Sequence, residues 1–216
     1  MDTASLVFQS LLAIPVVAGS AFVALTVVAS SLFMRRPPER LESDQCMPTT
    51  LLKPVCGLEK SLEENLRSCC EQDHPDFHVV FSVQHPEDAA LPLLERLQKE
   101  YGADRVSITI ATHAPMPNGK IHNLVGAMPA VRHEFLVVSD SDICLEKDYV
   151  RTITAPLRDS GVGFVCTPYK GVQADTWYET FEVLSLHDYT NQVVFAWMTG
   201  ASGFLLGGSV AFRRSD

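Results

Sequence analysis

Asp140 and Asp142 stand one residue apart at the end of the apolar run 135–138. The run is rich in β-branched and aromatic residues, which predicts a strand buried on both faces of a parallel sheet. In open α/β sheets the ligand site lies just beyond the carboxyl ends of the strands, where these two carboxylates would stand. Carboxylate oxygens suit a hard divalent cation, Mg²⁺ or Mn²⁺, that also holds substrate phosphates. The pair therefore predicts a site for a metal and a diphosphate.

The same aspartates have a second interpretation. Aspartate is favoured at helix N-termini, so both could cap a helix predicted over residues 146–157. An EF-hand loop is excluded, because Cys144 and Leu145 occupy positions where such a loop needs an oxygen donor and a glycine. Capping and metal binding both stay open for the pair taken alone.

Apolar periodicity predicts the elements that would position this pair. Strands are predicted over 50–53, 77–83, 106–111, 135–138 and 162–167, and helices over 61–72, 89–101, 120–131, 146–157 and 176–191. A capping box, formed by Ser61 and Glu64, is predicted to open the first of these helices. Strands alternating with helices of about 10 to 15 residues indicate a mostly parallel, doubly wound α/β sheet. The chain has no Gly-x-Gly-x-x-Gly and no P-loop sequence, which argues against a dinucleotide-binding domain and a P-loop ATPase.

Further polar residues are predicted to lie at the same edge of the sheet as the aspartates. They are Lys53 with Pro54 after the first strand, residues 84–88 after the second, and residues 118–120 before the third helix. Because parallel strands all point the same way, these groups should converge on one crevice. Lys53 and Lys120 each resemble ordinary solvated charges when taken alone, but beside a bound cation a lysine would help to offset a diphosphate. Asp88 could accept hydrogen bonds from a base or from ribose hydroxyls.

The N-terminal region has the composition of a membrane span. Residues 3–34 contain no charged side chain. Roughly 20 apolar residues cross the hydrocarbon core of a bilayer, so we predict a retained transmembrane helix. A cleaved signal peptide would instead need positive charge before a shorter apolar core. Arg35, Arg36 and Arg40 follow the run, and the positive-inside rule then places the remainder of the chain in the cytoplasm.

Length, net charge and cysteine content limit the remaining interpretations. We divide the 216 residues into a transmembrane segment, 1–34, a proline-bearing linker, 35–48, and one domain, 49–216. The linker is too short for the domain to leave the bilayer surface. The net charge of −9 argues against a nucleic-acid partner, which would need a basic face. Six scattered cysteines without a Cys-x-x-Cys pair argue against a zinc site and fit reduced thiols in a cytosolic domain.

A second uncharged stretch covers residues 191–212. Its four glycines favour a loop and a strand over a second membrane span. Trp177, Tyr178 and Trp197 could anchor this region to lipid headgroups or could equally pack in a core.

Four stretches carry a family resemblance: 52–59, 64–75, 120–124 and 140–142. In this order they resemble the ceramide glucosyltransferase-like glycosyltransferases, and within that group the bacterial hopanoid-biosynthesis-associated enzymes. The resemblance runs from about residue 50 to residue 214 and implies a Rossmann-like, mostly parallel GT-A domain after one transmembrane helix. It implies an inverting enzyme of the bacterial inner membrane. Such an enzyme transfers N-acetylglucosamine or glucose from a UDP-sugar on the cytosolic side to a lipid acceptor, hopanoid or ceramide-like.

The same resemblance assigns roles to single residues. Asp88 matches the family's first aspartate, near the nucleotide. Asp140 and Asp142 match its second acidic motif, which binds the metal and the nucleotide sugar, with Asp142 as the direct metal ligand. Lys120 and Asn123 match a Lys-x-x-Asn element that lines the nucleotide pocket.

The family pattern continues beyond this sequence. It includes a third acidic motif, which supplies the general base, and a closing Gln/Arg-x-x-Arg-Trp motif, so we expect the catalytic base beyond Asp216. Glu179, Glu182 and Asp188 could approach the site, but their spacing selects none of them. Two alternatives stay open. One is an inactive nucleotide-sugar-binding fragment, which turnover of a UDP-sugar would exclude, and the other is a nucleotidyltransferase of similar fold, which would retain a nucleoside triphosphate.

Overall fold

The computed structural model describes residues 3–39, 41–114, 116–172, 174–201 and 207–216. The α-helices in these ranges are α1 (Thr3–Met34), α2 (Leu62–Cys70), α3 (Leu91–Tyr101), α4 (Gly119–Ala127), α5 (Tyr149–Thr154) and α6 (Trp177–Met198). The strands are β1 (Thr49–Pro54), β2 (Phe77–Val83), β3 (Val106–Ile110), β4 (Phe135–Ser139), β5 (Phe164–Cys166) and β6 (Ser209–Arg213). Short 3₁₀ turns cover Ser43–Gln45, Met128–Ala130 and Ala155–Arg158. The chain forms two compact units, one from residues 1–37 with 168–204 and one from residues 38–167 with 205–216.

The second unit contains one sheet with the strand order β3-β2-β1-β4-β6-β5. The first four strands are parallel to their neighbours, and β6 is antiparallel to both β4 and β5. The predicted mostly parallel α/β sheet is confirmed. β4 has a parallel neighbour on one side only, because the chain returns after α6 and places β6 against its other edge.

Helices cover both faces of this sheet because side chains alternate along each strand. Leu51 and Val79 pack into the core beneath α2, α3 and α5, while Leu52 and Val80 pack on the opposite face with Ala127 of α4. All seven residues of β2 are buried. The sheet is therefore covered on both faces, as parallel sheets require.

Two local predictions about helix starts were wrong. Ser61 precedes α2 but makes no capping hydrogen bond, because its φ of 60° lies in the left-handed region and capping needs an extended backbone. The helix predicted from residue 146 begins only at Tyr149, well after Asp140 and Asp142. The two aspartates therefore do not occupy the N-cap of that helix.

The first unit pairs α1 with α6. Within α1, residues Leu11–Met34 have a mean hydropathy of 2.4 and are 6% buried, so by length and composition this helix could cross a membrane. The helix continues through Pro15. Arg35 and Arg36 follow α1, whereas Arg40 lies outside the described residues. Residues 191–198 continue α6, so the loop expected there was wrong, while the expected strand is present as β6.

Candidate active site

The chain turns sharply where β4 ends. The Asp140 N–H donates to the carbonyl of Gly208 at 3.0 Å, and the Ile143 N–H donates back to the carbonyl of Asp140 at 3.2 Å. This turn, residues 140–143, leaves the Asp140 side chain 33% exposed and Asp142 exposed. Both carboxylates thus stand at the carboxyl edge of the sheet, as the sequence predicted.

Lys120 lies directly against the first of these carboxylates. Its Nζ is 2.5 Å from Asp140 Oδ1 and also donates to the carbonyl of Gly207 at 2.6 Å. Asn118 caps α4 by accepting the Ile121 N–H at 3.1 Å, which fixes the helix start that carries the lysine. A lysine and a carboxylate from separate elements therefore meet at the carboxyl edge of the sheet, where both stay about one-third exposed.

Lys53 occupies a different place from the one predicted. It is fully buried, and its Nζ donates to the Ile143 carbonyl at 2.6 Å and to Ser139 Oγ at 3.3 Å. An ammonium with no exposed surface does not contact a ligand in this conformation. The structure instead places Lys53 beneath the turn 140–143, where it fixes the backbone that carries the aspartates.

Asn123 and Pro54 also lie behind the crevice surface. Pro54 is buried as the last residue of β1. Asn123 is 2% exposed and donates from Nδ2 to the Val55 carbonyl at 3.1 Å, while its own carbonyl accepts from Ser82 Oγ at 2.7 Å. Among the residues described, Asn123 Oδ1 has no hydrogen-bond partner. Asn123 therefore links α4 to the ends of β1 and β2, and its side chain contacts the backbone of this region.

Asp88 joins the loops that follow β1 and β2. Its carboxylate accepts the Gly57 N–H at 3.0 Å and the Ala90 N–H at 2.9 Å. Gly57 has a φ of 66°, a conformation that favours glycine, so this loop is shaped for the contact. The side chain of Asp88 stays partly exposed. It can therefore accept a further hydrogen bond, because each carboxylate oxygen offers two lone pairs.

Sequence reasoning missed a second support of the aspartate turn, which comes from α2. Asn65 is 6% exposed and donates from Nδ2 to the Ser141 carbonyl at 3.1 Å. One turn later, Ser68 Oγ accepts the Leu145 N–H at 2.9 Å. Polar residues three apart on the otherwise apolar face of a helix were the available signal. They hold the backbone of the turn at Ser141 and of the segment just after it at Leu145.

Histidines lie beside α4. The His122 ring is 4.2 Å from the His113 ring, and His122 is 5% exposed. Burial, followed by the neighbouring imidazoles of His113 and His85, lowers the pKa of His122. His122 is therefore neutral at physiological pH, and it adds no positive charge to that of Lys120, two residues before it.

The donor set fits a cation that is held jointly with a diphosphate. No group of three or more His, Cys, Asp or Glu side chains that could hold a metal ion exists within the described ranges. Mg²⁺-type cations commonly take one or two protein carboxylates and complete their shell with water and substrate phosphates. Asp140 and Asp142 supply that number. Asp142 is exposed and has no side-chain partner in the part of the chain that the structure describes.

Known glycosyltransferases share this architecture. A mannosyltransferase from Pyrobaculum calidifontis, solved with GDP-Man and Mn²⁺, matches with a TM-score of 0.60 and 20% identity over 94% of this chain and 56% of that chain. Glucosyl-3-phosphoglycerate synthase from Mycobacterium tuberculosis, solved with Mn²⁺, UDP and its product, matches with a TM-score of 0.53 and 18% identity, covering 84% and 63% of the two chains. The fold is that of the GT-A glycosyltransferases, which confirms the predicted fold class.

The particular family follows from the sequence. The glycosyl transferase family 21 model matches residues 12–216, and the chain belongs to this family. Ceramide glucosyltransferase 1 of Caenorhabditis elegans is 27% identical over 123 residues, which are 56% of this chain and 26% of the relative. The chain thus spans about a quarter of that relative's length. The resemblance carried by the four stretches is confirmed, while closeness to the hopanoid-associated subgroup stays a prediction.

Proposed function

We propose that this chain forms the nucleotide-sugar-binding part of a membrane-bound, inverting glycosyltransferase. The donor is a UDP-sugar, carrying N-acetylglucosamine or glucose, and the acceptor is a hopanoid or ceramide-like lipid. The observation that carries the proposal is the contact between Lys120 and Asp140, with exposed Asp142 alongside, at the carboxyl end of β4. Family membership supports the reaction class, and the short linker after α1 supports an acceptor at the bilayer surface.

Each residue then has a role that its surroundings support. Asp142 and Asp140 would hold the cation, Mg²⁺ or Mn²⁺, which when bound offsets the charge of the diphosphate and favours its departure. Lys120 adds a second positive charge from the start of α4, and its bond to the Gly207 carbonyl orients the ammonium. A preorganised charge of this kind needs little rearrangement when the leaving diphosphate develops negative charge.

The buried residues keep those groups in place. Lys53 fixes the Ile143 carbonyl, and Asn123 fixes the Val55 carbonyl beside Pro54. Asp88 holds the loop at Gly57 and retains the capacity to accept a hydrogen bond from a base or ribose. These residues shape the nucleotide pocket from behind.

The membrane placement is part of the same proposal. We assign α1 as a membrane span of the bacterial inner membrane, because its apolar window is long enough and is largely unburied by protein. Arg35 and Arg36 directly after the helix support a cytoplasmic position for the sheet domain. The UDP-sugar would then be bound from the cytosol.

The metal role of Asp142 can be tested by titrating UDP into the detergent-solubilised chain by calorimetry, in Mn²⁺ and in EDTA. The parent chain should bind UDP in Mn²⁺ and lose that binding in EDTA. Asp142→Ala should weaken binding in Mn²⁺ by about 100-fold or more, because a direct metal ligand is lost. Glu146→Ala is the matched control, since Glu146 is an exposed carboxylate in the same connection, and it should bind like the parent.

Two results would contradict the proposal. Unchanged binding of UDP by Asp142→Ala would reject the metal role. Preference for a nucleoside triphosphate over UDP and UDP-sugars would favour the nucleotidyltransferase instead.

A further inference from the structure

The N-terminal half of α6 exposes an apolar stripe. Trp177, Phe181 and Leu184 are 74%, 63% and 56% exposed, and their spacing of four and three residues places them on one face of the helix. The Trp177 and Phe181 rings are 6.1 Å apart and meet edge to face, so they form one continuous surface. Large apolar groups gathered on an exposed face mark an interaction surface. We call these three residues the aromatic stripe.

One of the residues by which α6 contacts the candidate membrane span lies on the same side of the helix as the stripe. Phe195 follows Trp177 by five turns of about 3.6 residues, which returns it to the same side of the helix. Its ring is 5.6 Å from the Phe22 ring of α1, in an edge-to-face arrangement. The aromatic stripe therefore lies on the side of α6 that holds Phe195 against α1, with the polar residues Asp188, Asn191 and Gln192 between the two.

The ring contacts indicate that α6 runs across α1. Phe22 and Phe33 of α1 stand about 16 Å apart along their helix axis. Their ring partners on α6, Phe195 and Trp197, are two residues apart and point to opposite sides of α6. Contacts from opposite sides of α6 with two separate places along α1 favour a crossing of the two helices over an alignment. A helix that crosses a membrane span in this way lies closer to the membrane plane than to its normal.

The position of the crossing along α1 indicates its depth in the membrane. The ring contacts with α6 are made by Phe22 and Phe33, in the half of the span that ends next to Arg35 and Arg36. Tryptophan is enriched where apolar surface meets lipid headgroups, and phenylalanine and leucine are typical of the buried face of interfacial helices. Asp188, one turn after Leu184, ends the stripe, and its carboxylate accepts from Gln192 Nε2 at 2.7 Å.

We infer that the aromatic stripe of α6 rests in the headgroup region of the bilayer leaflet nearest Arg35 and Arg36. The partner is the phospholipid interface itself, and the inference depends on α1 crossing the membrane, as proposed above. The stripe binds by apolar burial: α6 contains no lysine or arginine, so it has no cation to pair with anionic lipid. Anionic lipid should therefore not strengthen its lipid contact over that in a zwitterionic bilayer, since α6 carries Glu179, Glu182 and Asp188.

The chain offers a direct probe, since Trp177 and Trp197 are its two tryptophans. The full chain carrying Trp197→Phe, reconstituted in phosphatidylcholine vesicles, reports Trp177 alone. Lipid brominated near the top of its acyl chains should quench the emission of a tryptophan held at the interface, where tryptophan side chains concentrate. Iodide in the aqueous phase should quench Trp177 less in vesicles than it quenches free tryptophan. Trp197→Tyr provides a second background if the phenylalanine variant loses helix content by circular dichroism.

The matched control is Trp177→Phe, which reports Trp197 beside Phe33 of the span. Quenching of both tryptophans by brominated lipid supports the inference. Quenching of Trp197 without Trp177 overturns it and leaves the membrane span intact. Quenching of neither rejects the span and the stripe together. Protection of Trp177 from iodide without quenching by lipid also overturns the inference, because a second protein surface would then cover the stripe.

Discussion

The two edges of the sheet carry titratable side chains in opposite states. At the carboxyl edge, Lys120 and Asp140 are each about one-third exposed, and Asp142 is exposed. At the amino edge, His74 and His78 are 6% and 1% exposed, and burial lowers the pKa of each to about 4. Both edges contain residues that could bind or transfer protons. Access to solvent, more than residue type, decides which edge can take a charged ligand.

The amino edge is closed by packing. His78 Nε2 pairs with Ser107 Oγ at 2.9 Å, and His133 Nδ1 pairs with Thr50 Oγ1 at 3.0 Å. The ring of His74 meets Phe77 edge to face. Both buried histidines keep one ring nitrogen without a partner among the described residues, which fits neutral rings. These side chains fill space and pair locally.

The largest effect on stability is expected at Lys53, which is buried at the carboxyl edge. Lys53→Ala removes the donor to the Ile143 carbonyl and leaves the volume of a long side chain empty beneath the turn. We expect the free energy of unfolding to fall by about 3 to 5 kcal/mol, measured by chemical denaturation in detergent. Lys53→Met keeps most of the volume and should lose about 1 to 2 kcal/mol, chiefly for the unpaired carbonyl. An alanine variant as stable as the parent would show that Lys53 does not support the turn.

A smaller effect should come from the histidines of the amino edge. Their folded pKa of about 4 lies below the unfolded value of about 6.5. Between these values the unfolded chain binds more protons than the folded chain, so stability is full above pH 6.5 and falls as pH drops toward 4. The melting temperature should follow this slope, and it should be flatter in His78→Gln. Exposed His85→Gln should keep the parent's slope, and equal slopes in all three proteins would argue that His78 is not buried and neutral.

The smallest effect on stability is expected at the exposed side of the crevice. Lys120→Gln removes an ion pair between partly exposed side chains, which should change the free energy of unfolding by less than about 1 kcal/mol. UDP affinity in Mn²⁺ should nevertheless fall by about tenfold, because a charge facing the diphosphate is lost. Lys99→Gln, an exposed lysine on α3, should change neither quantity. A Lys120 variant that is strongly destabilised but binds UDP normally would contradict this prediction, because Lys120 would then serve stability and not binding.

The sequence predicted which residues lie at the carboxyl edge of the sheet, but it did not predict how deeply each side chain is buried. The alternation of strands and helices predicts parallel strands whose carboxyl ends meet at one edge, so Asp140 and Lys120 could be expected to lie close together. The burial of Lys53 could not be expected, because it depends on α2 and the turn 140–143 closing over the end of β1. Ser61 had the right residue type for a cap, but its left-handed backbone is set by the preceding loop.

The same limit applies to long-range partners. The C-terminal part of α6 is uncharged and precedes several glycines, so its pattern alone did not separate a loop from a helix. Its contacts with α1, through Phe195 and Trp197, join residues far apart in sequence. The antiparallel placement of β6 against β4 likewise comes from the return of the chain, which local periodicity does not encode.

The position of β6 has a consequence for how the protein is made. Gly207 and Gly208, just before this strand, accept hydrogen bonds from Lys120 and from the backbone of Asp140. The paired residues of β4 and β6 are separated by roughly 70 positions. The ribosome must therefore synthesise that whole interval before Lys120 can contact the Gly207 carbonyl. By then α1 has long left the exit tunnel. Nascent molecules should therefore complete the candidate membrane span well before Lys120 and Asp140 reach their final positions in the candidate site.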